Sequence, residues 1–311
     1  MAHFQLFAVE DAGPRPLPVP ADAAQFADLY RGLPLGVYDA LRTFEHNKFL
    51  YLNRHLARTE RSMALLGWTY RLDRARLLRA LHAVATAAEW PEMRVRIDIL
   101  AAPAEALGTT SRELIALQPF TPPPAELYET GVAVDFAVDL ARERPLAKTA
   151  DFAEKRPGTA GLAALEGKTT DDGQQTTAET PSVVRGLSSA VPYEYLLLDP
   201  AGRILEGTGT NFWAVRDGVV YTAGEGVLEG VTREILLQLI PELGIPLRLE
   251  AVSKSDVPAL DEAALSGSSR AVLPVVSMAG QAVGDGRPGP TIRRILDSYN
   301  AFVAANVRPA A

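Results

Sequence analysis

Leu205-Glu206-Gly207-Thr208-Gly209-Thr210-Asn211-Phe212-Trp213 puts one carboxylate ahead of a run dominated by small and hydroxyl-bearing residues. It follows a strand-like run, Tyr195-Leu196-Leu197-Leu198-Asp199, and a turn, Pro200-Ala201-Gly202-Arg203. Backbone with so few bulky side chains lets N–H groups come close to an anion. Downstream, Gly230-Val231-Thr232-Arg233 leads into a helical pattern. The first N–H groups of a helix and its dipole form a second anion site. A carboxylate beside a phosphate cradle suits a ligand with a basic nitrogen at one end and a phosphate at the other, as in pyridoxal phosphate. Taken alone, the same residues also read as a plain hairpin and loop.

The composition narrows the field. A chain of 311 residues with 47% apolar content predicts a globular protein of two domains. A formal charge of −7 and the lack of a basic run argue against a general nucleic-acid binder. No apolar stretch approaches the length of a membrane span, and the first residues do not resemble a signal peptide. There is no cysteine, and the four histidines are scattered, so no metal centre is expected. The expectation is a cytoplasmic protein without membrane or nucleic-acid partners.

Residues 4–9 alternate like an edge strand, and Pro14 to Pro20 reads as a proline-rich loop. Leu35 to Phe44 is predicted as a strand, with Val37, Leu41 and Thr43 on one face and Tyr38, Ala40, Arg42 and Phe44 on the other. Asn53 is expected to cap a helix that runs to Leu66 and ends at Gly67. Its stripe is Leu56, Met63 and Leu66, flanked by Arg58, Arg61 and Ser62. Asp73 to Ala88 predicts a second helix. Met93 to Leu100 predicts a strand with Arg94, Arg96 and Asp98 on one face, and Arg112 to Gln118 another strand.

The predicted division is a small α+β domain over 1–120, a proline-rich linker over 121–131 and a larger domain over 132–311. In the second domain, residues 157–190 are polar and aperiodic and read as an exposed loop insertion. Further strands are expected at Phe212–Val215, Val219–Thr222, Leu247–Val252, and Leu265–Val275 with a hydroxyl-rich bend. Helices are expected at Arg233–Leu243 and Thr291–Val307.

An ordered set of motifs accompanies this pattern. They are Gly-Val-Tyr-Asp-Ala-Leu-Arg at 36–42, His-Leu-Ala-Arg at 55–58, Ala-Lys-Thr at 147–149, Glu-Gly-Thr-Gly-Thr-Asn at 206–211, Leu-Glu-Gly-Val-Thr-Arg at 228–233 and Ser-Gly-Ser-Ser-Arg-Ala-Val-Leu-Pro-Val at 266–275. Taken together, they make the chain resemble the class IV, fold-type IV pyridoxal-phosphate transaminases. That family includes branched-chain and D-amino acid aminotransferases, (R)-selective amine transaminases and aminodeoxychorismate lyase. The resemblance implies an α+β fold of two domains with the cofactor at their interface, and a homodimer. It implies transfer of an amino group between an amino acid, branched-chain or D-, or an amine, and a 2-oxo acid. A lyase on the same cofactor and a non-catalytic protein of the same fold are the alternatives.

The resemblance also implies roles. Lys148 would bond the cofactor's aldehyde and move the proton, which requires a partly desolvated amine. Glu206 would face the pyridine nitrogen and keep it protonated. Arg58, Val231, Thr232 and Ser269 would hold the phosphate. Leu228 would pack on the ring, and Thr210, Asn211 and Ser268 would line the cofactor site. Tyr38, Arg42, Arg96 and Arg270 fall on the substrate side. Lys168 is the rival of Lys148: it lies 38 residues before Glu206, nearer the family spacing, against 58 for Lys148. Lys148 is preferred because it follows Arg-Pro-Leu-Ala and precedes Phe152 and Arg156, as the family lysine does.

Overall fold

The computed structural model describes residues 4–155 and 191–310. The expected insertion at 157–190, with Lys168, lies outside the described residues. The chain divides into two compact units: Met1–Pro122 with Arg142–Lys155 and Asn300–Ala311, and Pro123–Ala141 with Arg156–Tyr299. The expected division placed Lys148 in the second domain. In the compact units, its segment and the C-terminal residues group with the first.

The first unit contains strands β1 (Gln5–Glu10), β2 (Gly13–Leu17), β3 (Gly36–Arg42), β4 (Lys48–Leu50), β5 (Met93–Leu100) and β6 (Glu113–Pro119), and helices α1 (Leu52–Leu65) and α2 (Arg74–Ala87). One sheet runs in the order β2-β1-β6-β5-β3. The expected proline-rich loop is therefore the edge strand β2, and β1 is internal. Pro14 and Pro16 lack an N–H, which an edge strand tolerates on its outer side.

Alternation decides the core. Met93, Val95, Ile97 and Ile99 of β5 pack into one cluster with Leu77 and Leu81 of α2, all fully buried. Truncating such a residue to alanine costs about 2–5 kcal/mol. Asp73 caps α2, its carboxylate accepting from the Arg76 N–H at 2.9 Å.

Asn53 does not cap α1. Tyr51 does so, in the left-handed region with φ 47°, because β4 runs almost directly into the helix. The buried face of α1 carries His55, Arg58, Thr59 and Ser62 beside Leu56 and Met63. A helix that turns this much polarity inward must meet partners there.

The second unit contains α3 (Ala125–Thr130) and β7 (Val132–Phe136); α4 (Ala150–Lys155) belongs to the first. There follow β8 (Glu194–Leu198), β9 (Ile204–Gly207), β10 (Asn211–Arg216), β11 (Val219–Tyr221), α5 (Val231–Glu242), β12 (Leu247–Arg248), β13 (Glu262–Gly267), β14 (Ala271–Met278), β15 (Gln281–Ala282), α6 (Pro290–Asn306) and β16 (Val307–Pro309). Residues from Asn300 on count with the first unit, where β16 pairs with β4. The large sheet has the order β12-β11-β10-β13-β14-β7-β8-β9. A single pair, Asn211 with Glu206, joins β9 back to β10 and closes a ring of strands at that point.

Two expectations change here. The strand expected over 247–252 is only β12, because beyond it Leu249 and Glu250 turn to solvent. The strand expected over 265–275 is the hairpin β13–β14, with Gly267 paired to Ala271 and Ser268-Ser269-Arg270 as its turn. Among the described residues, no helix is long and apolar enough to cross a membrane.

Candidate active-site residues

In the first unit the site is built on β3 and α1. The Tyr38 N–H donates to the Lys148 carbonyl at 3.0 Å. The Lys148 N–H donates to Ser62 Oγ at 3.1 Å, and that hydroxyl donates to the Arg58 carbonyl at 2.9 Å. The lysine backbone is thus tied to both elements. Lys148 Nζ lies 5.1 Å from the centre of the Tyr38 ring. Burial pushes the amine from 10.5 down to about 8; the Tyr38 hydroxyl and Asp39 oppose this, and the Arg58 and Arg142 cations reinforce it. The neutral form, which acts as nucleophile and base, is therefore available close to neutral pH.

Arg58 is buried and clamped. Its Nε donates to Asp39 Oδ2 at 2.9 Å and its Nη2 to Asp39 Oδ1 at 2.7 Å. His55 Nδ1 lies 2.8 Å from the same Oδ1. Burial favours the protonated carboxyl of Asp39, but Arg58 and His55 outweigh it and hold the group well below the usual carboxylate range. Burial pushes His55 down, against the pull of Asp39. An ionised carboxylate only accepts, so the His55 hydrogen belongs on Nδ1.

Arg96 makes a second closed pair. Its Nε lies 2.9 Å from Asp98 Oδ2 and its Nη2 2.7 Å from Oδ1. Its guanidinium carbon is 4.1 Å from the Tyr30 ring centre and 4.2 Å from that of Tyr38. Arg42 lies apart from this group. It pairs with Glu92 and stacks at 4.3 Å on both Phe44 and Phe120.

The first unit therefore brings Lys148, Tyr38 and Arg58 together, with Arg96 against the far partner of the same ring. Sequence reasoning gives no role to Asp39, His55, Ser62 or Asp98. The available signal is Asp39 itself: it shares the buried face of Val37 and Leu41, where a charge requires a partner.

In the second unit Glu206 is buried where the ring of strands closes. Its Oε2 accepts from the Leu228 N–H at 3.1 Å and from Asn211 Nδ2 at 3.4 Å. Asn211 Nδ2 also donates to the Leu228 carbonyl at 2.9 Å. Leu228 and Asn211 thus hold the carboxylate in place.

Two glycines permit this close packing. A Cβ on Gly207 would fall 2.3 Å from Thr210 Oγ1, and one on Gly230 would fall 2.2 Å from Asn211 Oδ1. Thr210 Oγ1 is buried and finds no hydrogen-bond partner among the described residues. Helix α5 starts at Gly230 without a side-chain cap, so Val231 and Thr232 carry its leading N–H groups. Thr232 Oγ1 is 3.4 Å from the Tyr299 hydroxyl.

Ser268 and Ser269 sit half-buried in the β13–β14 turn. Arg270 closes that turn. Its Nε donates to the Tyr193 hydroxyl at 3.0 Å, its Nη1 lies 3.7 Å from Glu194 Oε2, and its carbonyl accepts from Tyr128 at 2.9 Å. Glu194 also accepts from the Gly209 N–H, so one buried carboxylate holds both the 207–210 loop and Arg270.

These residues suit the cofactor that the sequence implies. The donor set has a depressed lysine amine, a fixed buried carboxylate, an unpartnered threonine hydroxyl and an uncapped helix start.

The model of the family described as amino-transferase class IV matches residues 36–156 and 185–278. The branched-chain-amino-acid aminotransferase of Escherichia coli (strain K12) is 38% identical over 108 residues, 34% of this chain and 35% of that protein. The D-alanine aminotransferase of Staphylococcus haemolyticus is 31% identical over 102 residues, 32% and 36% respectively. The chain thus matches about a third of the length of these curated relatives. Among solved structures, the branched-chain amino acid aminotransferase of Thermobaculum terrenum in its PLP form superposes with a TM-score of 0.72 at 20% identity, covering 99% of this chain and 98% of that one. The branched-chain aminotransferase of the thermophilic archaeon Thermoproteus uzoniensis with norvaline gives 0.68 at 20%, covering 99% of each chain. With most of its length matched by the family model, the chain belongs to the class IV aminotransferases.

Proposed function

We propose that this protein is a pyridoxal-phosphate-dependent aminotransferase that moves an amino group between an amino acid and a 2-oxo acid. The observation that carries this reading is Lys148: an amine tied through its backbone to β3 and α1, set against Tyr38 and depressed to about 8. When bound, the cofactor supplies an electron-accepting ring that stabilises charge released at the substrate's Cα.

The residues divide the work. Lys148 would bond the cofactor's aldehyde carbon, then accept the Cα proton and return it on the other side of the exchange. Glu206, fixed by the Leu228 N–H, would hold a proton on the ring nitrogen. Arg58 would meet phosphate from the first unit, and Val231, Thr232 and Ser269 from the second. Leu228 would lie against the ring, and Tyr38 would face the reacting side.

A branched-chain or D-amino acid donor fits the names of the relatives. The reading includes a homodimer in the cytoplasm, checked by sedimentation and cell fractionation. The decisive test is borohydride reduction of the cofactor-loaded protein followed by peptide mapping. The label is expected on Lys148 and lost in Lys148→Ala; a label on Lys168 in the wild type would overturn the lysine assignment. Amino transfer that requires an added 2-oxo acid supports the reading, whereas release of pyruvate from aminodeoxychorismate without any acceptor would replace it with the lyase.

A further inference from the structure

We propose that Asp98 determines the substrate class: by closing Arg96 into a neutral pair, it makes the site prefer donors and 2-oxo acceptors with one carboxylate over those with two. This rests on the aminotransferase reading above.

Arg96 is the first unit's natural receptor for a second carboxylate. It lies against the ring of Tyr38, the ring that also faces Lys148 Nζ. A lone guanidinium there would grip a carboxylate with two parallel N–H groups. Asp98 already occupies such a fork, with contacts at 2.9 and 2.7 Å, and its side chain is fully buried. The rings of Tyr30 and Tyr38 lie against the guanidinium at 4.1 and 4.2 Å. An incoming carboxylate would approach a pair of zero net charge, with the Asp98 oxygens nearby to repel it. Desolvating a second anion against such a pair is unfavourable, because little Coulombic attraction compensates.

The same arrangement holds at the other two arginines placed on the substrate side. Arg42 is paired with Glu92, and Arg270 has Glu194 at 3.7 Å. Each of the three thus has an acid from its own unit beside it. A substrate with a single carboxylate needs no additional cation, whereas a dicarboxylic one does.

The test compares two five-carbon acceptors that differ in their far end, 2-oxovalerate and 2-oxoglutarate, with the best donor from a D- and L-amino acid panel. The wild type is expected to favour 2-oxovalerate in kcat/KM by about tenfold or more, the scale of one charge-assisted hydrogen bond. In Asp98→Asn that preference should shrink by about tenfold, mostly through a lower KM for 2-oxoglutarate. The Arg96→Gln/Asp98→Asn double variant, which removes both charges, should keep the wild-type ratio. In the wild type, valerate but not glutarate should raise the melting temperature, a readout independent of turnover.

A wild type that prefers 2-oxoglutarate, or a folded Asp98→Asn with an unmoved ratio, overturns the proposal. If Asp98→Asn does not fold, the double variant decides: selective loss of 2-oxoglutarate turnover there would mean that Arg96 receives the second carboxylate, and the proposal fails. Turnover without preference sinks this inference alone. No turnover of either acid by the wild type sinks the aminotransferase reading with it.

Discussion

Replacing Lys148 by methionine should stabilise the cofactor-free protein, and the gain should depend on pH in a defined way. The amine titrates at about 8 in the folded chain against 10.5 when unperturbed. At about 1.4 kcal/mol per pH unit, the difference corresponds to about 3 kcal/mol, an upper bound because the side chain is only half-buried. The folded state holds its proton less tightly than the unfolded state. The penalty is therefore fully present below about pH 8, fades between about 8 and 10.5, and is absent above that.

Lys148→Met removes the titrating amine and keeps an unbranched chain of similar length. Urea unfolding of wild type and variant at about pH 6.5, 8 and 9.5 measures the gap between them, and other titrating groups cancel in the difference. The variant should be the more stable by up to about 3 kcal/mol at the lowest pH, with the gap closing by roughly 1.4 kcal/mol per unit above 8. A gap that is constant across the range, or a less stable variant at about pH 6.5, would refute the desolvated-amine argument.

The rate at which the cofactor-free protein takes up pyridoxal phosphate, followed by its visible band, should rise with pH to about 8 and then level off, because only the neutral amine attacks. Gly207→Ala should lose about 1–3 kcal/mol in thermal or urea unfolding and bind cofactor more weakly, since its Cβ meets Thr210 Oγ1 at 2.3 Å and Glu194 Oε1 at 2.7 Å. Glu262→Ala should cost about 1–2 kcal/mol without changing the kcat of the loaded protein, because that carboxylate accepts the Thr291 and Ile292 N–H groups at the start of α6, at 2.9 and 2.7 Å.

What the sequence could and could not reveal follows from the range of each interaction. The period of two in β5 and the stripe of α2 are local, and both elements are legible to within a residue. Strand order is not local. Nothing in residues 4–20 says that the proline-rich segment forms the outer strand and its apolar neighbour the inner one, because that depends on pairing with β6, about a hundred residues on. The start of α1 is misread for a related reason. Asn53 has the chemistry of a cap, but the left-handed turn at Tyr51 is imposed by β4 running into the helix.

The site divides along the same line. Motif order singles out Lys148, Glu206 and Arg58, each of which carries its chemistry in its own side chain. Asp39, His55, Ser62 and Asp98 act on those groups through contacts, and a contact across the sequence leaves no periodic trace. Alternation does put Asp98 on the same face as Arg96, since residues two apart share one side of a strand. Alternation cannot say whether two such neighbours both face a ligand or satisfy each other. Here they satisfy each other, which changes Arg96 from a receptor for a substrate's charge into half of a neutral pair.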